Sequence, residues 1–177
     1  MACDNMIFGK CFEEIWYRPA PGGADQIHTN NRQKGKAKTM YRILLVDDEI
    51  LVRDAIKENI DWKSMDCELV GDCENGKQAA DFVKTHPVDI VLTDILMPYM
   101  DGMELSHFLH DNYPEIVIVI FSGFGEFEYA KKAIQYNVSE YMLKPVTAME
   151  LREVIGKMKE KVDQQRKEKE KLESLTK

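Results

Sequence analysis

The chain has 177 residues, 44% of them hydrophobic, which suits one globular domain with appended segments. Its net charge of −7 is uneven: residues 1–39 carry +2, residues 40–156 carry −12 (22 acidic, 10 basic) and residues 157–177 carry +3. So acidic a middle argues against nucleic-acid binding there, and the longest apolar run, IVIVIF (116–121), is far too short to span a bilayer.

Residues 1–39 show no sustained hydrophobic period, and PAPGGADQIHTNNRQKGKAKT (19–39) has the composition of a disordered extension. Met40, which opens MYRILLVDDE, is expected to be the natural start; the alternative is a short tail that docks through IFGKCFEEIWY (7–17). Glu13 and Glu14 interrupt the N-terminus before an apolar core develops, so no signal peptide is expected and the cytoplasm is the expected location. Cys3, Cys11, Cys67 and Cys73 include no CxxC pair, which argues against a zinc or thioredoxin site and for reduced thiols.

From residue 41 strand-like and helix-like segments alternate. RILLV (42–46) is a continuous apolar run of strand length, and Ile50, Leu51, Ala55, Ile56 and Ile60 then recur near helical spacing. CELVGDC (67–73) reads as a strand, and Ala79, Ala80 and Val83 mark a helix over 75–85. DIVLT (89–93) is the third strand; Met103, Leu105, Phe108 and Leu109 mark the next helix. IVIVIF is the fourth strand, followed by a helix over 125–136. EYMLK (140–144) is a short fifth strand, and Thr147 is a good N-cap for a last helix. That helix runs into a charged segment, 157–177, either a frayed solvated helix or a coiled coil along Leu151, Met158, Leu172 and Leu175. Continuous rather than alternating apolar strands imply a parallel sheet buried on both faces. The spacing thus predicts an α/β, doubly wound five-stranded parallel sheet over residues 40–156, to which the flavodoxin-like order 2-1-3-4-5 is assigned.

GDCENGKQ (71–78) imitates a phosphate loop, but Gln78 stands where Ser or Thr should bind magnesium, and Asp72 and Glu74 would repel phosphates. It is read as a turn with Asn75 or Gly76 at the helix entry. SGFGEFEY (122–129) lacks the third glycine of a dinucleotide loop, and His107 and His110 are read as surface residues rather than a metal pair.

The acids carry the stronger signal. Asp47 and Asp48 follow the first strand and Asp94 the third, and in the order 2-1-3-4-5 those strands are neighbours at the switch point. Three converging carboxylates repel, and a hard divalent cation such as Mg²⁺ relieves this. Ser122 ends the fourth strand and Lys144 the fifth, adding a hydroxyl and a cation at the same sheet edge. That set suits phosphoryl transfer onto a carboxylate.

In order, LVDDE, LTDILMPYMDG, FSG and EYMLKP resemble the receiver domain of bacterial two-component response regulators over about 120 residues. The resemblance implies that Asp94 is the phosphoacceptor, and that Asp47, Asp48, Asp94 and the backbone carbonyl of Leu96 hold Mg²⁺. It implies that Ser122 and Lys144 contact the phosphoryl group, and that Tyr141 is a switch residue that turns inward on phosphorylation. It also implies a cis peptide before Pro145. Ser122 stands where the family more often has Thr, and Gly123 where Ala is common. Trp62 and SGFGEFEYAKKAIQYNVSEYMLKPV further resemble receivers joined to AraC-type helix-turn-helix effectors. Only one helix and a charged tail follow Lys144, so no direct nucleic-acid binding is expected of this chain.

The function implied is a phosphoacceptor, not an enzyme, phosphorylated by a sensor histidine kinase and regulating an output, transcription above all. Homodimerisation would use the fourth helix (125–136), the fifth strand and the fifth helix. One rival is an aspartyl-phosphate phosphohydrolase, but Asp94 is followed by Ile95-Leu96-Met97 and lacks a second acid two residues on. The other is a pseudo-receiver acting only as an interaction module, yet none of the acids, the hydroxyl or the lysine is missing.

Overall fold

The structure, a computed structural model, describes residues 40–123 and 138–175. Residues 1–39 and the helix expected over 125–136 lie outside the described residues. Five strands form one parallel sheet in the order β2-β1-β3-β4-β5. They are β1 (Tyr41–Val46), β2 (Cys67–Cys73), β3 (Ile90–Asp94), β4 (Val117–Ser122) and β5 (Glu140–Leu143). The described α-helices are α1 (Ile50–Asn59), α2 (Gly76–Thr85), α3 (Gly102–Asn112) and α4 (Ala148–Leu175). Ile43, Leu44, Leu45, Ile90, Val91, Leu92, Val119 and Ile120 have no exposed surface, so the central strands are covered on both faces. Among the described residues no helix is long and apolar enough to cross a membrane.

The helix entries are set by polar side chains. Asn75 caps α2 by accepting from the Gln78 N–H (3.0 Å), and Gln78 Oε1 accepts from the Glu74 N–H (3.0 Å). The phosphate-loop mimic is therefore a capped turn: the Glu74 and Gln78 N–H groups are used within it, and the Gly76 N–H donates to the Met100 carbonyl (3.0 Å). Asp101 and Glu104 form a capping box at α3, and Thr147 and Glu150 exchange the same pair of bonds at α4. Cys67 and Cys73 are free and buried, and burial pushes both thiols up to about 11, far from the reactive thiolate range.

Two elements differ from the sequence reading. In α1 the expected Ile56 is buried, as is Ile60 just past the helix, but Ile50 and Leu51 are 60% and 75% exposed, and Val52 and Arg53 are buried in their place. The stripe is displaced because Arg53, polar by type, occupies an inward position where acids meet it. The second difference is in α4. Leu151 and Met158 of the supposed seam are buried in the domain, whereas Leu172 and Leu175 are largely exposed, so the four do not form one free stripe. Nor is the segment after residue 156 simply a solvated tail. Met158 and Val162 are buried, Lys159 Nζ donates to the Met65 carbonyl (2.6 Å), and Tyr41 Oη donates to Asp163 (2.7 Å). Arg166 reaches Asp89 (2.8 Å), which also pairs with Arg42. Burial, together with the Asp163 carboxylate, pushes the Tyr41 phenol up to about 12.

Candidate functional site

Strand register brings the polar strand ends together. Val46 pairs with Thr93, so Asp47 follows level with Asp94. Asp94 pairs with Phe121, and Ser122 pairs with Leu143, so Ser122 and Lys144 come next along the same carboxyl edge. Carboxylate oxygens of Asp47, Asp48 and Asp94 all lie within 4.8 Å of one another. Asp47 and Asp94 are buried and Asp48 is exposed. Lys144 Nζ stands 2.8 Å from Asp47 Oδ2 and 2.8 Å from Asp94 Oδ1. One ammonium thus offsets only one of three close negative charges, and the donor set fits a hard, oxygen-seeking dication.

Asp94 is the last residue of β3 and only 8% exposed, so it is more enclosed than a residue emerging beyond the strand. Burial pushes its carboxyl up to about 6; Asp47 pushes the same way, while Lys144 and the Ile95 N–H oppose both. For Lys144, burial disfavours the ammonium, but Asp47 and Asp94 outweigh it and the lysine is held above its ordinary value. The Lys144–Pro145 peptide is cis. Gly102 closes the far side of the β3–α3 loop: its N–H donates to the Ile95 carbonyl (2.8 Å), and a Cβ there would collide with the Asp94 carbonyl. Leu96, half exposed, lies in this loop two residues past Asp94.

Ser122 is fully buried, and its hydroxyl meets the Tyr141 hydroxyl and donates to the Gly123 carbonyl (3.1 Å). Tyr141, partly buried, packs against the core and touches Ser122. His107 lies on exposed helix beside Asp111 (3.5 Å). Sequence reasoning missed Arg53, which reaches the site from α1. Its Nη1 donates to the Asp47 carbonyl (2.5 Å) and its Nε to Asp72 (3.0 Å), with Glu74 3.7 Å away. No local motif marks it; its signal is a burial of 4% for an arginine, visible only in the fold.

A doubly wound parallel sheet in this order, with acids and a lysine gathered at the switch point, defines a receiver-type signalling domain. The chain belongs to the response regulator receiver domain family, whose domain model matches residues 43–156. It is 40% identical over 124 residues to the uncharacterised transcriptional regulatory protein YesN of Bacillus subtilis, covering 68% of this chain and 34% of that protein. It is 29% identical over 119 residues to the transcriptional regulatory protein HptR of Staphylococcus aureus, covering 67% of this chain and 46% of that one. The chain therefore spans a third to a half of the length of these curated relatives. Among solved structures, the receiver domain of AraT, a response regulator from Geobacillus stearothermophilus, aligns with a TM-score of 0.67 at 37% identity, covering 72% of this chain and 98% of that one. A two-component transcriptional regulator AraC from Clostridium phytofermentans aligns at 0.66 and 35%, covering 70% and 96%. The chain is a receiver domain of the two-component response-regulator kind.

Proposed function

We propose that this receiver is phosphorylated on Asp94 by a sensor histidine kinase, in the cytoplasm, and so controls an output that in its relatives is named as transcriptional. The observation that carries the reading is the bridging of Asp47 and Asp94 by one lysine ammonium, 2.8 Å from each, at the edge where Asp48 also converges. An Asp94 carboxylate oxygen attacks the phosphorus of a phosphohistidine; the new O–P bond forms as the N–P bond breaks, and the bonding pair returns to the imidazole. The Lys144 ammonium lies where it can meet phosphoryl oxygens on Asp94. Asp47, Asp48, Asp94 and the Leu96 carbonyl are the groups that would hold Mg²⁺, which when bound supplies charge neutralisation for the phosphoryl oxygens.

Switching starts from the Ser122–Tyr141 contact. A phosphoryl group on Asp94 adds acceptor oxygens beside β4, and the Ser122 hydroxyl is drawn from the Gly123 carbonyl toward them. Tyr141 follows, because its hydroxyl rests on Ser122. Tyr141 lines a shallow cavity of about 330 Å³ with Met142, Leu143, Glu150, Glu153 and Val154, on the β5–α4 face. That neighbourhood supports a partner surface there, with a second copy as the first candidate. The chain acts as phosphoryl acceptor rather than as an enzyme on a separate substrate.

Incubation with a small phosphodonor and Mg²⁺ tests the reading. The expected result is a single stable phosphoryl label on the protein that Asp94→Ala abolishes. Multiple turnover of a separate phosphate ester would favour the hydrolase, and no label at all the pseudo-receiver.

A further inference from the structure

The Arg53 guanidinium is buried within α1, away from any solvent role, and its contacts all lead to the ends of β1 and β2. Asp47 carries the first acid of the cluster, and both of its backbone polar groups are tied to β2. Its N–H donates directly to the Cys73 carbonyl (3.1 Å). Its carbonyl is tied indirectly, through Arg53 Nη1, whose Nε is held by Asp72. The Asp47 side chain is fixed as well, by the Glu49 N–H (2.9 Å) and by Lys144. Asp48 is the exposed acid of the three, and it directly follows this tied residue in the chain.

We infer that Arg53 is a positioning residue for the metal site: by clamping the Asp47 carbonyl to Asp72 and Glu74, it fixes the turn that aims the Asp48 carboxylate. This inference rests on the reading of Asp47, Asp48 and Asp94 as the cation-holding set. The guanidinium fork suits the task, since a single ammonium cannot span a carbonyl on one side and two carboxylates on the other. A purely electrostatic role predicts the opposite sign. A cation beside an acidic cluster repels Mg²⁺, so its removal would tighten binding; removal of a positioning clamp loosens it.

The sign is read by calorimetric titration of Mg²⁺ into the full chain, with amide hydrogen exchange of the metal-free protein and its thermal unfolding alongside. Arg53→Ala is expected to weaken Mg²⁺ binding about tenfold, as loss of groups that orient metal ligands commonly does. Exchange at the Asp48 and Glu49 amides should quicken in the metal-free variant, and the labelling rate from a small phosphodonor should return to the wild-type value at saturating Mg²⁺. Arg53→Lys should fall between the two. Unchanged or tighter Mg²⁺ binding with unchanged exchange at Asp48 and Glu49 overturns the inference while leaving the receiver reading intact. If Arg53→Ala loses its cooperative unfolding transition, Arg53→Lys and Asp72→Asn carry the same test, each with weakened Mg²⁺ binding expected. Absence of Mg²⁺ binding by the wild-type chain would overturn the reading of the acid set and this inference with it.

Discussion

Asp94 sits where burial and charge pull against each other. Its carboxyl is held near 6, against an ordinary value of 3.8, because enclosure outweighs the favourable Lys144 ammonium. The folded, metal-free protein therefore binds a proton at Asp94 more readily than the unfolded chain. That contribution to stability is fully present below pH 3.8 and is lost as pH rises through 6. A shift of that size corresponds to about 3 kcal/mol between the two limits. Asp94→Asn removes the buried charge but also one partner of Lys144, so the metal-free variant should gain about 1–3 kcal/mol at pH 7. Urea unfolding at pH 7 and pH 4.5 without divalent cations checks this: the gain should shrink at the lower pH. A variant less stable than wild type at pH 7 would mean that the Lys144–Asp94 pair, not the enclosure of Asp94, dominates there.

Elements place these residues, and one element extends past the matched family domain. α4 continues beyond residue 156 and packs the stretch up to Arg166 against the amino-terminal edge of the sheet, opposite the acids. Met158 and Val162 supply the apolar contact; Lys159, Asp163 and Arg166 supply polar contacts to Met65, Tyr41 and Asp89. Lys159 and Arg166 also lie 5.0 Å and 5.5 Å from the Tyr41 ring centroid. Two buried side chains of this kind contribute roughly 3–6 kcal/mol. A chain ending at residue 156 should lose stability of that order by denaturant unfolding, whereas one ending at residue 166 should lose less than about 1 kcal/mol. Equal stability of the two would show that this stretch of α4 is not part of the folded unit. Asp89, pulled below its ordinary value by Arg42 and Arg166 against the cost of its burial, contributes stability present above the unfolded carboxylate range and lost as pH falls through its lowered value. This clamp should therefore weaken in acid, the reverse of the Asp94 effect.

At the scale of the whole molecule, the parallel sheet was legible in the sequence, and with the assigned strand order, which the structure has, so was the meeting of distant acids. Continuous apolar strands specify a buried parallel sheet, and Asp47, Asp48 and Asp94 fall at strand ends that this topology makes neighbours. Interior arrangements that depend on shape were not legible. Arg53 reads as a polar helix residue until the fold shows acids meeting it from β2, and the displaced face of α1 follows from the same fact. The docking of α4 was hidden because Lys159, Asp163 and Arg166 look like ordinary solvated charges and find their partners only in three dimensions. The close approach of Gly102 to the Asp94 carbonyl likewise needs coordinates. The phosphoacceptor role rests on one bond, from phosphorus to an Asp94 oxygen. Borohydride reduction of the phosphorylated full chain, followed by peptide sequencing, reads that bond directly, because reduction of an aspartyl phosphate leaves homoserine at the modified position. Homoserine at position 94 alone is the predicted result; homoserine at position 47 or 48, or none in protein that carries label, would contradict it.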